Sequence, residues 1–227
     1  MANVNVQAQF MLNTGELISL SATLAEGSEG ELTTSTTYST AATSLGQFAN
    51  GKVLTQIVQP PSALNGIAYA YIERRGAIIC ALPVAVQGIQ NEPCAMPFPV
   101  QLQAGDTLQV KPNTAANREF GYNVITGSGV HAIFSGTPSG AGDTDLTHIL
   151  SGQSIGQSLT GQTVVRHFAT SVDGSKLSTG GVLCLNDRGL PVGGCSATDP
   201  SELQPKYNMM GGYAVNLNFV ARVTTSS

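Results

Sequence analysis

Two stretches near the ends of the chain carry an apolar side chain at every second position, and this alternation is the strongest constraint on the fold. From Val4 to Leu12, and again over Tyr213–Val223, every second residue is apolar. A two-residue period places the apolar side chains of an extended strand on one face. Each stretch is therefore predicted to be a half-buried β-strand, and we expect the two strands to lie side by side in one sheet.

The chain between these two stretches consists of short β-prone segments separated by turn signals. Asn50-Gly51 and Asn65-Gly66 are strong turn dipeptides, and further short apolar segments follow at close spacing. No window shows a sustained apolar period of 3.6 residues, which is the signature of an amphipathic helix. The sequence predicts an all-β protein with little or no helix.

The 227 residues are expected to form a single domain, residues 1–227, that is long enough to bury a core. Residues 136–162 are rich in Gly, Ser, Thr and Gln, and we predict a long projecting or bridging loop there, with a strand inside it at Leu146–Leu150. The alternative is a division into a sandwich over residues 1–137 and a second small β region over residues 138–227.

The charge content is low and argues against several classes of partner. Charged residues make up 11% of the chain, the net charge is −4, and there is no basic run, so we expect no direct binding of nucleic acid. A polar but weakly charged surface favours packing against neighbouring proteins, although many soluble Ser/Thr-rich sandwiches share this composition. The N-terminus lacks the pattern of a secretory signal, and the longest apolar run is too short to cross a bilayer. Synthesis in a cytoplasm is expected.

A Gly-x-Ser-x-Gly pattern at residues 152–156 is the nearest approach to a catalytic motif. That nucleophile elbow requires a helix after the serine and an acid and then a histidine downstream. Gly161 interrupts the following segment, and no Asp or Glu lies between Ser154 and His167. We interpret the match as coincidental and predict no catalytic residue and no enzyme activity.

Asp143, Asp145 and His148 form the densest group of possible metal ligands. Two carboxylates and an imidazole at this spacing could hold a cation in a loop, but Asp side chains that cap turns in a solvated loop produce the same pattern. We predict no metal site and no cofactor, and the alternative stays open at this point.

The spacings of the four cysteines fit neither a zinc site nor a redox motif. Cys80 lies in an apolar run and is expected to be a small core residue. Cys184 and Cys195 flank a predicted hairpin and could form a disulfide, and a bond between Cys80 and Cys94 is also open.

Residues 102–110 have the form Leu-x-x-Gly-Asp-x-Leu-x-Val, and Phe134-Ser135-Gly136 follows later. This pair of patterns resembles the late hairpin of jelly-roll sandwiches of the C1q and tumour-necrosis-factor kind. Glycine reverses the chain direction and aspartate caps the turn, so the pattern also occurs in unrelated sandwiches.

The chain as a whole resembles the single jelly-roll capsid proteins of icosahedral viruses, which are all-β, poor in charge and rich in Gly/Ser/Thr loops. The resemblance implies an antiparallel jelly-roll β-sandwich of two Greek-key sheets that assembles into a closed shell with copies of itself and other virion proteins. The chain departs from many small RNA-virus coats because it lacks a basic N-terminal arm, which implies that something else, such as an internal membrane or another protein, neutralises or encloses the genome.

A structural virion protein is therefore the expected function, with the virion as its location. The alternative is a non-enzymatic binding or fibre module, either a C1q-like trimeric head or an appendage subunit that exchanges strands. A shell subunit should form large uniform particles, whereas the alternative predicts a discrete trimer or a filament.

Overall fold

The structure is a computed structural model that describes residues 2–34, 41–86, 93–115, 119–170, 177–196 and 212–226, a few of them by their backbone alone. Within these residues the chain is all-β, as predicted, and it divides into two compact units after Thr114. We call them the first unit and the second unit. This boundary differs both from the expected single domain and from the alternative division at residue 137.

In its described residues, the first unit contains a sheet of nine strands and one short helix. The sheet order is β6-β5-β9-β3-β2-β1-β4-β7, with β8 also pairing with β4, and every pairing is antiparallel except β4 with β7. The elements are β1 (Asn3–Leu12), β2 (Leu17–Ala25), β3 (Gly30–Thr34), α1 (Leu45–Phe48), β4 (Val53–Ala63), β5 (Ile67–Arg74), β6 (Ala77–Leu82), β7 (Ala85–Val86), β8 (Cys94–Gln101) and β9 (Thr107–Pro112).

The described part of the second unit contains an antiparallel sheet of eight strands and one short helix. The sheet order is β15-β14-β17-β12-β11-β10-β13-β16. The elements are β10 (Phe120–Thr126), β11 (His131–Gly136), β12 (Gly142–His148), α2 (Ile155–Leu159), β13 (Thr163–Thr170), β14 (Leu177–Leu185), β15 (Pro191–Ser196), β16 (Tyr213–Ala214) and β17 (Val220–Thr225).

Each sheet curls around a hydrophobic core of its own. In the first unit, Val6 and Phe10 of β1 share one buried cluster with Ile72 of β5 and Leu82 of β6, although these strands are far apart in the sheet order. The second core joins residues of β10, β14 and β17 in the same way. Sandwich packing therefore occurs within each unit, where alternating side chains of one folded sheet face each other.

The predicted alternation of the first strand is confirmed. Val4, Val6, Ala8, Phe10 and Leu12 are all buried. Between them stand exposed or half-buried residues, most of them amides. The expected pairing of the first strand with the last is wrong, because β1 lies between β2 and β4, whereas β17 lies between β12 and β14 of the other sheet.

The predicted C-terminal strand has the correct buried face but is not continuous. Tyr213, Val215, Phe219 and Ala221 are buried, whereas Leu217 is 59% exposed. The strand breaks there because residues 216–219 form a turn, closed by a hydrogen bond from the Phe219 N–H to the Asn216 carbonyl. Periodicity alone could not reveal this turn.

Residues 136–162 contribute a strand and a short helix to the second unit and are not the projecting loop that we expected. They contain β12, which pairs with β11 and β17 and buries Leu146, and α2, which follows it. The predicted strand at Leu146–Leu150 overlaps only the end of β12. Gly and Thr give this strand weak apolar periodicity, so its place in the sheet depends on partners distant in sequence.

The two units repeat the same topology. Three antiparallel strands come first, a short helix follows, and the next strand returns to pair with the first. Matching β1 to β10, β2 to β11, β3 to β12, β4 to β13, β5 to β14, β6 to β15, β8 to β16 and β9 to β17 gives the same neighbours in both sheets. The described part of the chain therefore contains the same β topology twice in tandem.

Even the irregularities of strand pairing recur. The register between β1 and β4 shifts just before Leu12 meets Leu54, and that between β10 and β13 shifts just before Thr126 meets Val164. The hairpins β5–β6 and β14–β15 shift register after the matching pairs Ile72–Cys80 and Cys184–Gly193. Shared bulges are specific features of a fold, and they provide a residue-by-residue match between the units.

Candidate functional site

The Gly-x-Ser-x-Gly segment has a structural role in the second unit. Ser154 caps the N-terminus of α2: its hydroxyl accepts a hydrogen bond from the Gln157 N–H, and the Gln157 side chain accepts one from the Ser154 N–H. This reciprocal capping box stabilises the start of a helix. The Gly156 N–H donates to the Phe219 carbonyl at 3.0 Å. The motif therefore docks a helix onto the 216–219 turn.

The same device occurs in the first unit, although Ala42 replaces the first glycine there and the sequence did not predict it. Ser44 caps α1 through the Gln47 N–H, and the Gly46 N–H donates to the Asp106 carbonyl at 2.8 Å. Gly51 and Gly161 then donate in the matching way to Leu102 and Val215. The repeated sequence signal is Ser-(Leu/Ile)-Gly-Gln, followed by a glycine five residues after the first one.

The three candidate cation ligands do not come together. Asp143 and Asp145 lie on one face of β12 and bind Arg222 of β17. The Arg222 Nε donates to Asp145 at 2.5 Å, and its Nη1 donates to Asp143 at 3.3 Å. His148 is an odd number of residues from both aspartates, so its side chain lies on the other face of β12. Its Nδ1 accepts a hydrogen bond from the Ser151 N–H. The guanidinium occupies the place that a cation would take, and none of the described residues form a group of three or more possible ligands.

Two of the four cysteines are buried free thiols. Cys184 is free, and its direct partner across the hairpin is Gly193, whereas Cys195 stands opposite Val182. The disulfide between Cys184 and Cys195 is therefore absent. Cys80 is also free, as expected for a core residue, so the bond to Cys94 is absent too. The side chains of Cys94 and Cys195 lie outside the described part of the chain.

We predict that Cys80 and Cys184 resist alkylation in the native protein. Burial raises the pKa of Cys80 to about 12 and that of Cys184 to about 11, so almost no reactive thiolate forms at neutral pH. Iodoacetamide labelling, mapped by mass spectrometry, should modify both only after unfolding in urea. Labelling of either residue at its unfolded rate in native buffer would contradict the burial described here.

The core of the second unit contains a chain of hydrogen-bonded polar side chains. The Tyr122 hydroxyl lies 2.6 Å from Nδ1 of His167 and 2.9 Å from the hydroxyl of Tyr213, and Tyr213 is hydrogen-bonded in turn to Cys184. At the far end, Nε2 of His167 is buried without a hydrogen-bond partner. We call these four residues the polar chain. An unpartnered buried polar atom typically costs about 1–3 kcal/mol.

The fold itself does not require the polar chain. Its hydroxyl, imidazole and thiol groups all occupy positions that are apolar in the first unit. The matching residues there are Ala8, Ile57, Val100 and Ile72. The same strands thus close over an aliphatic core in one unit and over a partly polar core in the other.

The polar chain includes one of three histidines whose pKa burial lowers, and its imidazole is shielded from solvent. His167 is 1% exposed, and burial lowers its pKa. Burial also lowers the pKa of His148, and that of His131 to about 4. These are the three histidines of the chain, and all of them lie in the second unit. Protonation of these buried imidazoles at low pH can favour unfolding of the second unit. The polar chain itself presents no nucleophile or base to solvent.

The exposed face of β1 and β2 in the first unit is polar and carries no charge. Asn3, Asn5 and Gln7 are exposed on β1, and Ser21 and Thr23 stand opposite on β2. The Thr23 hydroxyl donates to the Asn5 side chain at 2.9 Å. Neither strand, nor β4 on the other side of β1, contains a charged residue. We call this surface the amide face.

In comparisons with protein-family models, with curated proteins and with solved structures, no match was found. No helix within the described ranges is long and apolar enough to cross a membrane.

Proposed function

We propose that this protein is a structural, non-enzymatic virion protein: a capsid subunit, related to the jelly-roll capsid proteins, that assembles with copies of itself into an icosahedral shell. The observation that carries the proposal is the amide face. Three neighbouring strands present amide and hydroxyl groups and no charge. A contact on such a face removes no full charge from water, and amides both donate and accept, so identical faces are mutually compatible.

The distribution of charge elsewhere also supports packing between proteins. Lys52 pairs with Glu16, Arg74 pairs with Asp106, and Arg222 pairs with two aspartates. Many of the few charges in the described residues are thus neutralised within the chain. Copies of the chain and other virion proteins are the proposed partners, direct contact with nucleic acid is not expected, and the virion is the proposed location.

A charge placed on the amide face should weaken assembly. Gln7→Lys puts a positive charge on an exposed amide position, and like charges then meet wherever two such faces approach. We expect large uniform particles for the parent protein by light scattering and negative-stain microscopy. For Gln7→Lys, the concentration at which they appear should rise about tenfold, which corresponds to about 1.4 kcal/mol.

The matched control for this experiment is Ser28→Lys. Ser28 is also exposed in the first unit, but it lies in the turn between β2 and β3, so the substitution adds the same charge off the amide face. It should leave assembly unchanged, and both variants should keep the parent circular dichroism. A parent protein that stays monomeric under all conditions would refute the capsid proposal. A discrete trimer or a filament would favour the alternative, a binding or fibre module.

A further inference from the structure

A groove opens at one end of the second unit, between two connecting segments. One is the tip of the β14–β15 hairpin, and the other is the 216–219 turn. Leu185 and Val220 line the groove with apolar surface, and Asn186, Asp187 and Asn218 add polar groups. The groove has a volume of about 430 Å³. This is large enough for a long side chain with the backbone that carries it.

The surroundings of the groove are acidic overall. Asp187 contributes an exposed carboxylate, and Arg222 is the one cation in the lining. The Arg222 guanidinium is already bound by Asp143 and Asp145, so its charge is more than balanced. Arg188 belongs to the same hairpin but does not line the groove. The groove therefore favours a positively charged occupant.

The first unit shows how a guanidinium bridges the same two segments. Arg74 occupies the position that matches Asn186, and Asp106 matches Phe219. The Arg74 Nε and Nη2 donate to the two Asp106 carboxylate oxygens, each at 2.7 Å, and Nη2 also donates to the Gln101 carbonyl. This bidentate pair ties the hairpin to the turn.

The second unit has neither member of that ion pair. Asn186 turns back on its own hairpin, where its side-chain oxygen accepts the N–H groups of Arg188 and Leu190. Phe219 belongs to the core. The space between hairpin and turn is the groove. Leu190 and Leu217, adjacent in sequence to the lining residues, are 57% and 59% exposed.

The chain itself supplies a suitable cation in Arg75. This residue is exposed at the tip of the β5–β6 hairpin, where its positive φ of 54° places it in a tight turn. No hydrogen bond or ion pair within the described residues involves its guanidinium. Lys52, Arg74 and Arg222 are in ion pairs, and Lys111 lies over the Tyr69 ring.

We propose that Arg75 of one copy inserts into the groove of the second unit of another copy. Its guanidinium would pair with Asp187, and its methylene stem would pack on Leu185 and Val220. The two surfaces differ, so the contact is heterologous, and successive copies join head to tail into a closed ring or an open chain. The inference rests on the proposed self-assembly and names one contact within it.

Charge exchange between Arg75 and Asp187 tests the contact. Arg75→Glu and Asp187→Arg should each weaken self-association at least tenfold in sedimentation velocity at low salt. The double variant restores an opposite-charge pair and should return to within about threefold of the parent protein. Circular dichroism establishes that all variants are folded.

Arg188→Glu is the matched control, because it changes the net charge by the same amount as Arg75→Glu. A general charge effect would weaken association equally in both variants. Docking into the groove predicts that Arg188→Glu leaves association unchanged or strengthens it, since the groove becomes more acidic.

The outcomes separate this contact from the capsid proposal. A parent protein that assembles regardless of the single reversals, or a double variant that stays weak, overturns the contact alone. Head-to-tail oligomers that follow the charge exchange but never close into shells support the contact and overturn the shell. A parent protein that remains monomeric at every concentration overturns both.

Discussion

Gly156→Ala is expected to unfold the second unit and to leave the first unit intact. A Cβ atom at this position would lie 2.6 Å from the Asn216 carbonyl oxygen and the Phe219 nitrogen, and closer still to the Leu217 carbonyl oxygen. All three contacts are with backbone, which cannot move aside as a flexible side chain can. The loss should be about 3 kcal/mol or more, at the upper end of overpacking effects.

Gly46→Ala, the matching substitution in the first unit, should unfold the first unit and leave the second unit intact. The Cβ of Gly46→Ala would lie 2.6 Å from the Asp106 nitrogen and closer still to the Gln103 carbonyl oxygen. Hydrogen–deuterium exchange read by mass spectrometry reports on peptides from each unit separately. We expect increased exchange in β10, β13 and β17 for Gly156→Ala, and in β1, β4 and β9 for Gly46→Ala.

Two nearby glycines provide controls for these substitutions. A Cβ on Gly105 or on Gly140 meets no atom within 4 Å, and neither residue has a positive φ. Gly105→Ala and Gly140→Ala should therefore change the free energy of unfolding by no more than about 0.5 kcal/mol. If Gly156→Ala behaved like Gly140→Ala, the close docking of α2 on the turn would be wrong.

The same docking explains why one part of the fold was predictable from sequence and another was not. The alternation in β1 is local information, and it correctly gave the buried face from Val4 to Leu12. The C-terminal alternation also gave the correct face, but Leu217 points to solvent. The turn there exists because α2, distant in sequence, lies against it.

The tandem repeat of the topology was detectable in principle, but its signal in the sequence is weak. Ser44-Leu45-Gly46-Gln47 and Ser154-Ile155-Gly156-Gln157 are the clearest traces of the repeat. Elsewhere a few matched residues are identical, as in the pair Leu32 with Leu146, whereas others share only size, as in the pair Ile72 with Cys184. The strand-pairing partners and the positions of the bulges match between the two units even where the residues differ.

The candidate cation site failed for a related reason. Asp143 and Asp145 do lie on one face of β12, where they share a single partner. Their partner, Arg222, lies on a strand nearly eighty positions later in the chain, and only the β12–β17 pairing brings it opposite Asp145. His148 was grouped with them by sequence spacing, although strand parity places it on the other face.

Acid should destabilise the second unit selectively, over a pH range set by its histidines. Burial lowers the pKa of His131 to about 4 and also lowers the pKa of His167 and His148 from the ordinary value of 6.5. Below pH 6.5 the unfolded chain therefore binds protons that the folded unit does not. Stability is full above this pH and falls as the pH is lowered towards 4. For His131 alone the full loss corresponds to roughly 3 kcal/mol.

The first unit has no histidine and should not follow this trend. Among the described carboxyl groups of this unit, Glu31 has a raised pKa, which burial and the nearby Glu73 shift upward. A raised pKa means that the folded state binds the proton more readily, so mild acid favours the folded first unit at this residue. The two units should thus respond to acid in opposite senses through these groups.

His167→Ile tests the contribution of the polar chain, because Ile57 already occupies the matching position in the first unit. The variant removes an imidazole whose Nε2 has no partner, while Tyr122 keeps its bond to Tyr213. Exchange rates, corrected for intrinsic pH dependence, should rise in the second unit of the parent protein between pH 7.5 and 4.5. That rise should shrink in His167→Ile and nearly vanish when His131→Gln is added.

The half-exposed His148 provides the comparison. His148→Gln removes an imidazole that accepts the Ser151 N–H near the surface, and it should reduce the acid response less than His167→Ile does. If both units loosened in parallel as the pH fell, protonation of the second-unit histidines would not be the cause. If acid loosens the second unit alone and His167→Ile suppresses this loosening, the polar chain contributes to the acid response. Side chains that the fold does not require would then have made one of two matching units responsive to acid.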